Sequence, residues 1–125
     1  MAKITYDIYV KFALARDPHT APELLEELSY DEDEGVRWEV AGNLSTPVHV
    51  LVRLSKDPAL RVRWGVATND NTPVETLMEL AQDKTYDVRR GVEDNPRTPS
   101  MVKLWLTAGQ YGGMALEEFL KSTQM

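Results

Sequence analysis

The sequence predicts an all-α fold: a short right-handed α-solenoid of two-helix, 26-residue repeats, closed by a C-terminal capping helix. Three observations predict it. First, unlike residue types recur at the same interval: Asn43, Asn69 and Asn95; Thr46-Pro47, Thr72-Pro73 and Thr98-Pro99; Val36-Arg37, Val62-Arg63 and Val88-Arg89. Recurrence at a fixed period is the mark of stacked structural units. Second, the apolar residues inside each interval follow a helical stripe, as in Leu24, Leu25 and Leu28 or Val50, Leu51 and Leu54. Third, no helix this short can bury its apolar face alone, so neighbouring units must supply the core.

In chain order the period divides the protein into a leading half repeat (1–16), three repeats (17–42, 43–68 and 69–94), and a trailing half repeat with its cap (95–125). In each repeat the first helix is expected to start after Thr, with Thr as N-cap and Pro at the first helical position. Glu23 and Glu75, three residues past Thr20 and Thr72, are placed to close capping boxes. Leu28, Leu54 and Leu80 end the apolar stripe, and Leu106 holds the same phase. Turns follow at Asp31–Gly35, Asp57–Leu60 and Asp83–Asp87. The second helix then runs from near Val36, Val62 and Val88 to Asn43, Asn69 and Asn95, where Asn suits a left-handed helix stop. Past Leu106 the phase is lost. Gly109-Gln110-Tyr111-Gly112-Gly113 reads as a flexible break. Leu116, Phe119 and Leu120 then share one face of a short helix that caps the open end or reaches a second copy to make a homodimer.

The recurring string Val-Arg-x-x-Val-Ala-x-Asn-x-x-Thr-Pro-x-x-x-Leu-x-x-Leu, followed by Asp, resembles the variant leucine-rich repeats (LRV) and the broader HEAT-like helical repeats over roughly residues 10 to 106. The resemblance implies a helical-repeat fold that supplies an interaction surface. The cysteine cluster of some variant leucine-rich proteins is absent, so no iron–sulfur centre is implied.

Composition narrows the function classes. The net charge of −6 argues against general nucleic-acid binding, which needs Lys and Arg to neutralise phosphates. There is no cysteine, hence no disulfide or thiolate metal site. No apolar run is long enough to span a membrane, and Met1-Ala2-Lys3-Ile4-Thr5 does not read as a signal peptide. The expectation is a cytoplasmic protein without cofactor. His19 and His49 are out of phase and lack companions at ligand spacing. Asp31, Asp33 and Glu34 do not match a calcium loop, so no metal is expected. There is no phosphate-binding Gly loop and no nucleophile motif, so no catalytic residues are assigned and the chain is read as a non-enzyme.

Three groups remain as candidate functional residues. Stacking places Arg37, Arg63 and Arg89 in one row behind Lys11, and Asp31, Asp57 and Asp83 in another. They are read as a structural ladder, with an anion-binding stripe as the alternative. A second row, Phe12, Trp38, Trp64 and Arg90, is read as a partner-binding surface, since Trp and Arg dominate hot spots; inter-repeat stacking is the alternative. Glu23, Glu26, Glu27, Asp31, Glu32, Asp33 and Glu34 form an acidic patch: a solvated face, or a surface for a basic partner. The resulting expectation is a protein-interaction module with a protein partner. Two alternatives are kept. One is a HEAT-like DNA-binding or DNA-glycosylase-type protein, suggested by the Trp and Arg residues. The other is an acidic inhibitor of a DNA-binding protein.

Overall fold

The computed structural model describes residues 6 to 124, and of Tyr111 only the backbone. Residues 1–5, which bear the reading of a missing leader, lie outside the described residues, as does Met125. Among the described residues there are ten helical segments and no strand: α1 Ile8–Arg16, α2 Pro22–Leu28, α3 Glu34–Gly42, α4 Val48–Leu54, α5 Leu60–Thr68, α6 Val74–Leu80, α7 Tyr86–Asp94, α8 Ser100–Thr107, α9 Gly109–Gly113 and α10 Leu116–Ser122. No helix among them is long and apolar enough to cross a membrane. Helices α3, α5 and α7 start two residues before the expected Val, at Glu34, Leu60 and Tyr86. Only α3 has a side-chain cap there: Asp33 accepts from the N–H groups of Gly35 (2.7 Å) and Val36 (3.2 Å).

Helices 26 residues apart pack on one another: α1 against α3, α3 against α5, α5 against α7. One core runs along this row. Val36, Val40 and Ala41 of α3, Val62, Val66 and Ala67 of α5, and Val88 and Val92 of α7 are all fully buried. Leu25, Leu28, Val50, Leu51, Leu54, Leu77 and Leu80 close it from α2, α4 and α6. Close approach within the row depends on two glycines. A Cβ on Gly65 would lie 2.9 Å from the Ala41 Cβ, and one on Gly91 would lie 3.1 Å from the Ala67 Cβ.

The Asn-x-x-Thr-Pro motif works differently from the expected caps and stops. Thr20, Thr46, Thr72 and Thr98 do not cap the helix ahead. Each hydroxyl donates backwards to a carbonyl six residues earlier, at Leu14, Val40, Val66 and Val92, over 2.6–2.7 Å. Pro47, Pro73 and Pro99 themselves occupy the N-cap positions of α4, α6 and α8. Pro lies inside the first turn only in α2, whose N-cap is Ala21. Helices α2 and α6 have no side-chain cap hydrogen bond, so Glu23 and Glu75 close no capping box. Asn43, Asn69 and Asn95 are not left-handed: their φ values are −79°, −76° and −76°. Each side-chain amide instead reaches back to the end of the helix one 26-residue period earlier. Asn69 Nδ2 donates to Ala41 O (2.8 Å) and Asn43 O (3.0 Å), and Asn95 Nδ2 to Ala67 O (2.8 Å) and Asn69 O (3.0 Å). Asn43 does the same to Ala15 O and Asp17 O. The last carbonyls of a helix have no partner within it. Here Thr satisfies one at the end of the helix just before it, and Asn satisfies those at the end of the helix 26 residues earlier.

The glycine-rich stretch after α8 forms a helical segment, α9. Gly109, Gln110, Gly112 and Gly113 of α9 all have positive φ, between 62° and 92°, the left-handed region. That region is open to glycine and costs about 1–2 kcal/mol at an ordinary residue, here Gln110. The segment returns α10 onto α8. Leu116 and Phe119 are buried, Leu120 packs beside them, and Trp105 Nε1 donates to Met114 O at 2.7 Å.

Candidate functional site

The Arg and Asp rows meet across repeats. Arg37 does not take the carboxylate of its own turn. Its Nε and Nη2 donate to Asp57, twenty residues ahead, at 2.9 and 3.2 Å, while Nη1 donates to the carbonyls of Asp31 and Glu32. Arg63 repeats this with Asp83 (2.8 and 3.4 Å) and the carbonyls of Asp57 and Pro58, and adds Thr85 Oγ1. Lys11 Nζ lies 2.7 Å from Asp31. Each Asp also accepts from an N–H of its own turn: Asp33, Ala59 and Thr85. The Asp57 hydrogen bond, against some desolvation, raises Arg37 above its ordinary pKa. Burial pushes the Asp31 carboxyl up, but Lys11, the Asp33 N–H and the Arg37 charge together outweigh it and hold the group below its ordinary value. Arg89 departs from the series. Its Nη1 donates to Asp83 O at 2.8 Å, but the position twenty residues ahead is Gly109.

The Phe12–Trp38–Trp64–Arg90 row splits. Phe12 is packed, its ring 3.0 Å from where a Cβ would stand on Gly35. Trp38 is half-buried against the core, and its ring lies 6.5 Å from that of Trp64 at a tilt of 36°. Trp64 remains 38% exposed. Trp38, Trp64 and Arg90 surround a surface hollow of about 240 Å³, joined there by Leu60, Arg61 and Asp87. The Arg61 guanidinium stands over the Trp38 ring at 4.7 Å, a cation–π contact. Leu60 is 43% exposed beside it. Arg90 is exposed, 3.4 Å from the Tyr86 hydroxyl and 3.5 Å from Asp94; the hydroxyl first and that carboxylate second raise its pKa.

Leu60, Arg61 and Asp87 were not singled out from the sequence. The signal available was a break in the period. The Arg61 position holds Tyr9, Gly35 and Asp87 in the other repeats, and the Leu60 position holds Ile8, Glu34 and Tyr86. Where the stacked helices share a residue the fold explains it; where they differ at an exposed position, the fold does not.

The acidic patch is partly consumed by structure. Asp31 is paired with Lys11, Asp33 caps α3, and Glu26 lies 3.2 Å from His49. Glu23, Glu32 and Glu34 are exposed, and Glu27 is half-buried. His19 is exposed beside Asp17, whose carboxyl is lowered first by the His19 backbone N–H and then by its ring. Among the described residues no group of three His, Cys, Asp or Glu side chains is placed to hold a metal ion. What this surface offers chemically is apolar and aromatic area between two guanidinium groups. Comparison with family models, curated proteins and solved structures finds no match.

Proposed function

We propose that this chain is a non-enzymatic protein-interaction module, an α-solenoid of the variant leucine-rich or HEAT-like kind that offers the α5–α7 face to a protein partner. One observation carries the reading: Trp64 and Leu60 are held partly open to solvent in a hollow bounded by Arg61 and Arg90. Aromatic and Arg residues around a concave apolar centre are the composition of binding hot spots. A segment with an apolar or aromatic anchor and a flanking carboxylate complements it. Asp87 also lines the hollow and opposes a purely acidic ligand, which favours an apolar anchor.

The test is affinity capture with mass spectrometry on wild type, Trp64→Ala, Leu60→Ala and, as a control exposed on a different helix, Val52→Ala. The proposal expects a set of proteins lost with Trp64→Ala and Leu60→Ala but kept with Val52→Ala, while Trp64→Ala melts within a few degrees of wild type. If Trp64→Ala lowers the melting temperature sharply and keeps every captured protein, the tryptophans only pack the repeats together.

A further inference from the structure

The Arg–Asp ladder ends with one position unfilled. In two successive repeats the equivalent guanidinium is held on both sides: Nη1 is fixed by carbonyls of its own turn, and the Nε–Nη2 edge grips the carboxylate twenty residues ahead. Arg89 has the first half of this arrangement, with Nη1 on Asp83 O at 2.8 Å. It has no carboxylate partner among the described residues, because the residue at the matching position is Gly109. Arg89 lines a second hollow, of about 260 Å³, with Tyr86, Arg90, Glu93, Leu106, Gly109 and Gln110, and its guanidinium stands 5.8 Å from the Tyr86 ring. This hollow shares Arg90 with the tryptophan hollow but neither tryptophan.

We propose that Arg89 is a carboxylate-binding site, which takes from a ligand the group that Asp57 and Asp83 supply to Arg37 and Arg63 inside the chain. Three features support a ligand site over a merely solvated side chain. The guanidinium is partly buried and already oriented by the Asp83 carbonyl, so little freedom is lost on binding. Arginine presents two parallel N–H donors on that edge, a match to a carboxylate that a lysine cannot make. Arg90 adds a second positive charge to the same hollow. Glu93 is the one acidic side chain lining it, and it selects against ligands of high negative charge. The chemistry is a single carboxylate, from an aspartate in a peptide segment or from a small organic acid.

The internal template supplies the probe. An acetylated, amidated peptide with the sequence of residues 55–60, Ser-Lys-Asp-Pro-Ala-Leu, carries one carboxylate in the turn that Arg37 recognises. The full chain is titrated with this peptide, with its Asp→Asn counterpart, and with sodium acetate, and the arginine Nε–H signals are followed by NMR. The Arg89 signal is assigned by its loss in Arg89→Lys. The proposal expects the Asp peptide to move that signal to saturation with Kd on the order of 1 mM, and the Asn peptide to weaken the effect at least about tenfold. An equal response to acetate assigns the site to small carboxylates, and a much weaker one assigns it to a peptide segment; either supports carboxylate recognition. If the Arg89 signal stays still up to roughly 10 mM Asp peptide, or moves equally with the Asn peptide, the proposal is overturned. The Trp64→Ala protein should bind the probe as wild type does, so failure of this site and failure of the tryptophan face are separable.

Discussion

Asn69→Ala is the sharpest test of how the repeats hold together. The amide is 2% exposed and donates to Ala41 O at 2.8 Å and Asn43 O at 3.0 Å; its own oxygen accepts from the Asn71 N–H at 2.8 Å. Asn43 O keeps a bond from the Thr46 N–H, whereas Ala41 O has no other donor among the described residues. Losing one net hydrogen bond costs about 1 kcal/mol, and stranding a buried carbonyl adds roughly 1–3 kcal/mol. The substitution should therefore destabilise by about 3 kcal/mol. For a chain of this size that corresponds to a melting temperature lower by roughly 10–15 °C. The control is Asn71→Ala, whose exposed amide donates only to Leu44 O; it should cost less than about 1 kcal/mol. Urea unfolding followed by far-ultraviolet circular dichroism and by tryptophan fluorescence would give both values, and agreement between the probes would justify a two-state fit. Asn69→Asp sharpens the comparison. It puts a carboxylate against two carbonyl oxygens, and should lose more than Asn69→Ala at neutral pH. If Asn69→Ala costs no more than Asn71→Ala, the amide ladder is not what couples one repeat to the next.

Other perturbations address the ladders and the close packing separately. Gly65→Ala should destabilise by roughly 1–2 kcal/mol, because the new methyl meets the Ala41 Cβ at 2.9 Å and the gain in helix propensity does not offset that. Gly42→Ala, with nothing within 4 Å, should stabilise by about 0.4–1 kcal/mol; thermal melts of the pair would check the signs. Arg63→Met should cost more than Arg89→Met, since only the former strands a carboxylate, that of Asp83 at 10% exposure; equal losses in urea titrations would deny the pairing any part. The Asp31 carboxyl is held below its ordinary value, so the unfolded chain takes up that proton first as pH falls. Its contribution is complete above the ordinary carboxylate range and is lost as pH falls through the lowered value. Lys11→Met should move the Asp31 titration upward, as read from its carboxyl carbon by NMR.

Much of the helical order was legible because it rests on periodicity, which one chain displays by itself. Leu28, Leu54 and Leu80 and the paired valines fall where the stripe places them, and α10 buries Leu116 and Phe119. What misled was the polar part of the motif. Thr before Pro and Asn after a helix have strong local meanings, as cap and as stop. The local reading fails because the partners lie elsewhere: six residues back for Thr, 26 and 28 back for Asn. The Arg row shows the same thing, since the ladder Asp six residues back offers only its carbonyl, and the carboxylate comes from twenty residues ahead. Trp38, Trp64 and Arg90 were legible as one cluster and Phe12 was not separable from it. The distinction depends on Gly35, whose missing side chain lets the Phe12 ring pack down. Arg61 is not legible that way, because recurrence carries no information about a residue that occurs once in its row.

The two ladders also constrain how such a chain can change length. Each Asn of the ladder reaches back 26 and 28 residues, and Arg37 and Arg63 reach forward 20. Removing or duplicating a block of 26 residues, such as 43–68, presents every amide and every guanidinium with an equivalent partner. Removing Pro58 or Ala59 shortens the reach of Asn69 and that of Arg63 to the Asp57 carbonyl, and rotates the following helix by about 100°. Length is thus quantised: this chain can gain or lose whole helix pairs at little cost, while a one-residue deletion in a turn acts as a core mutation.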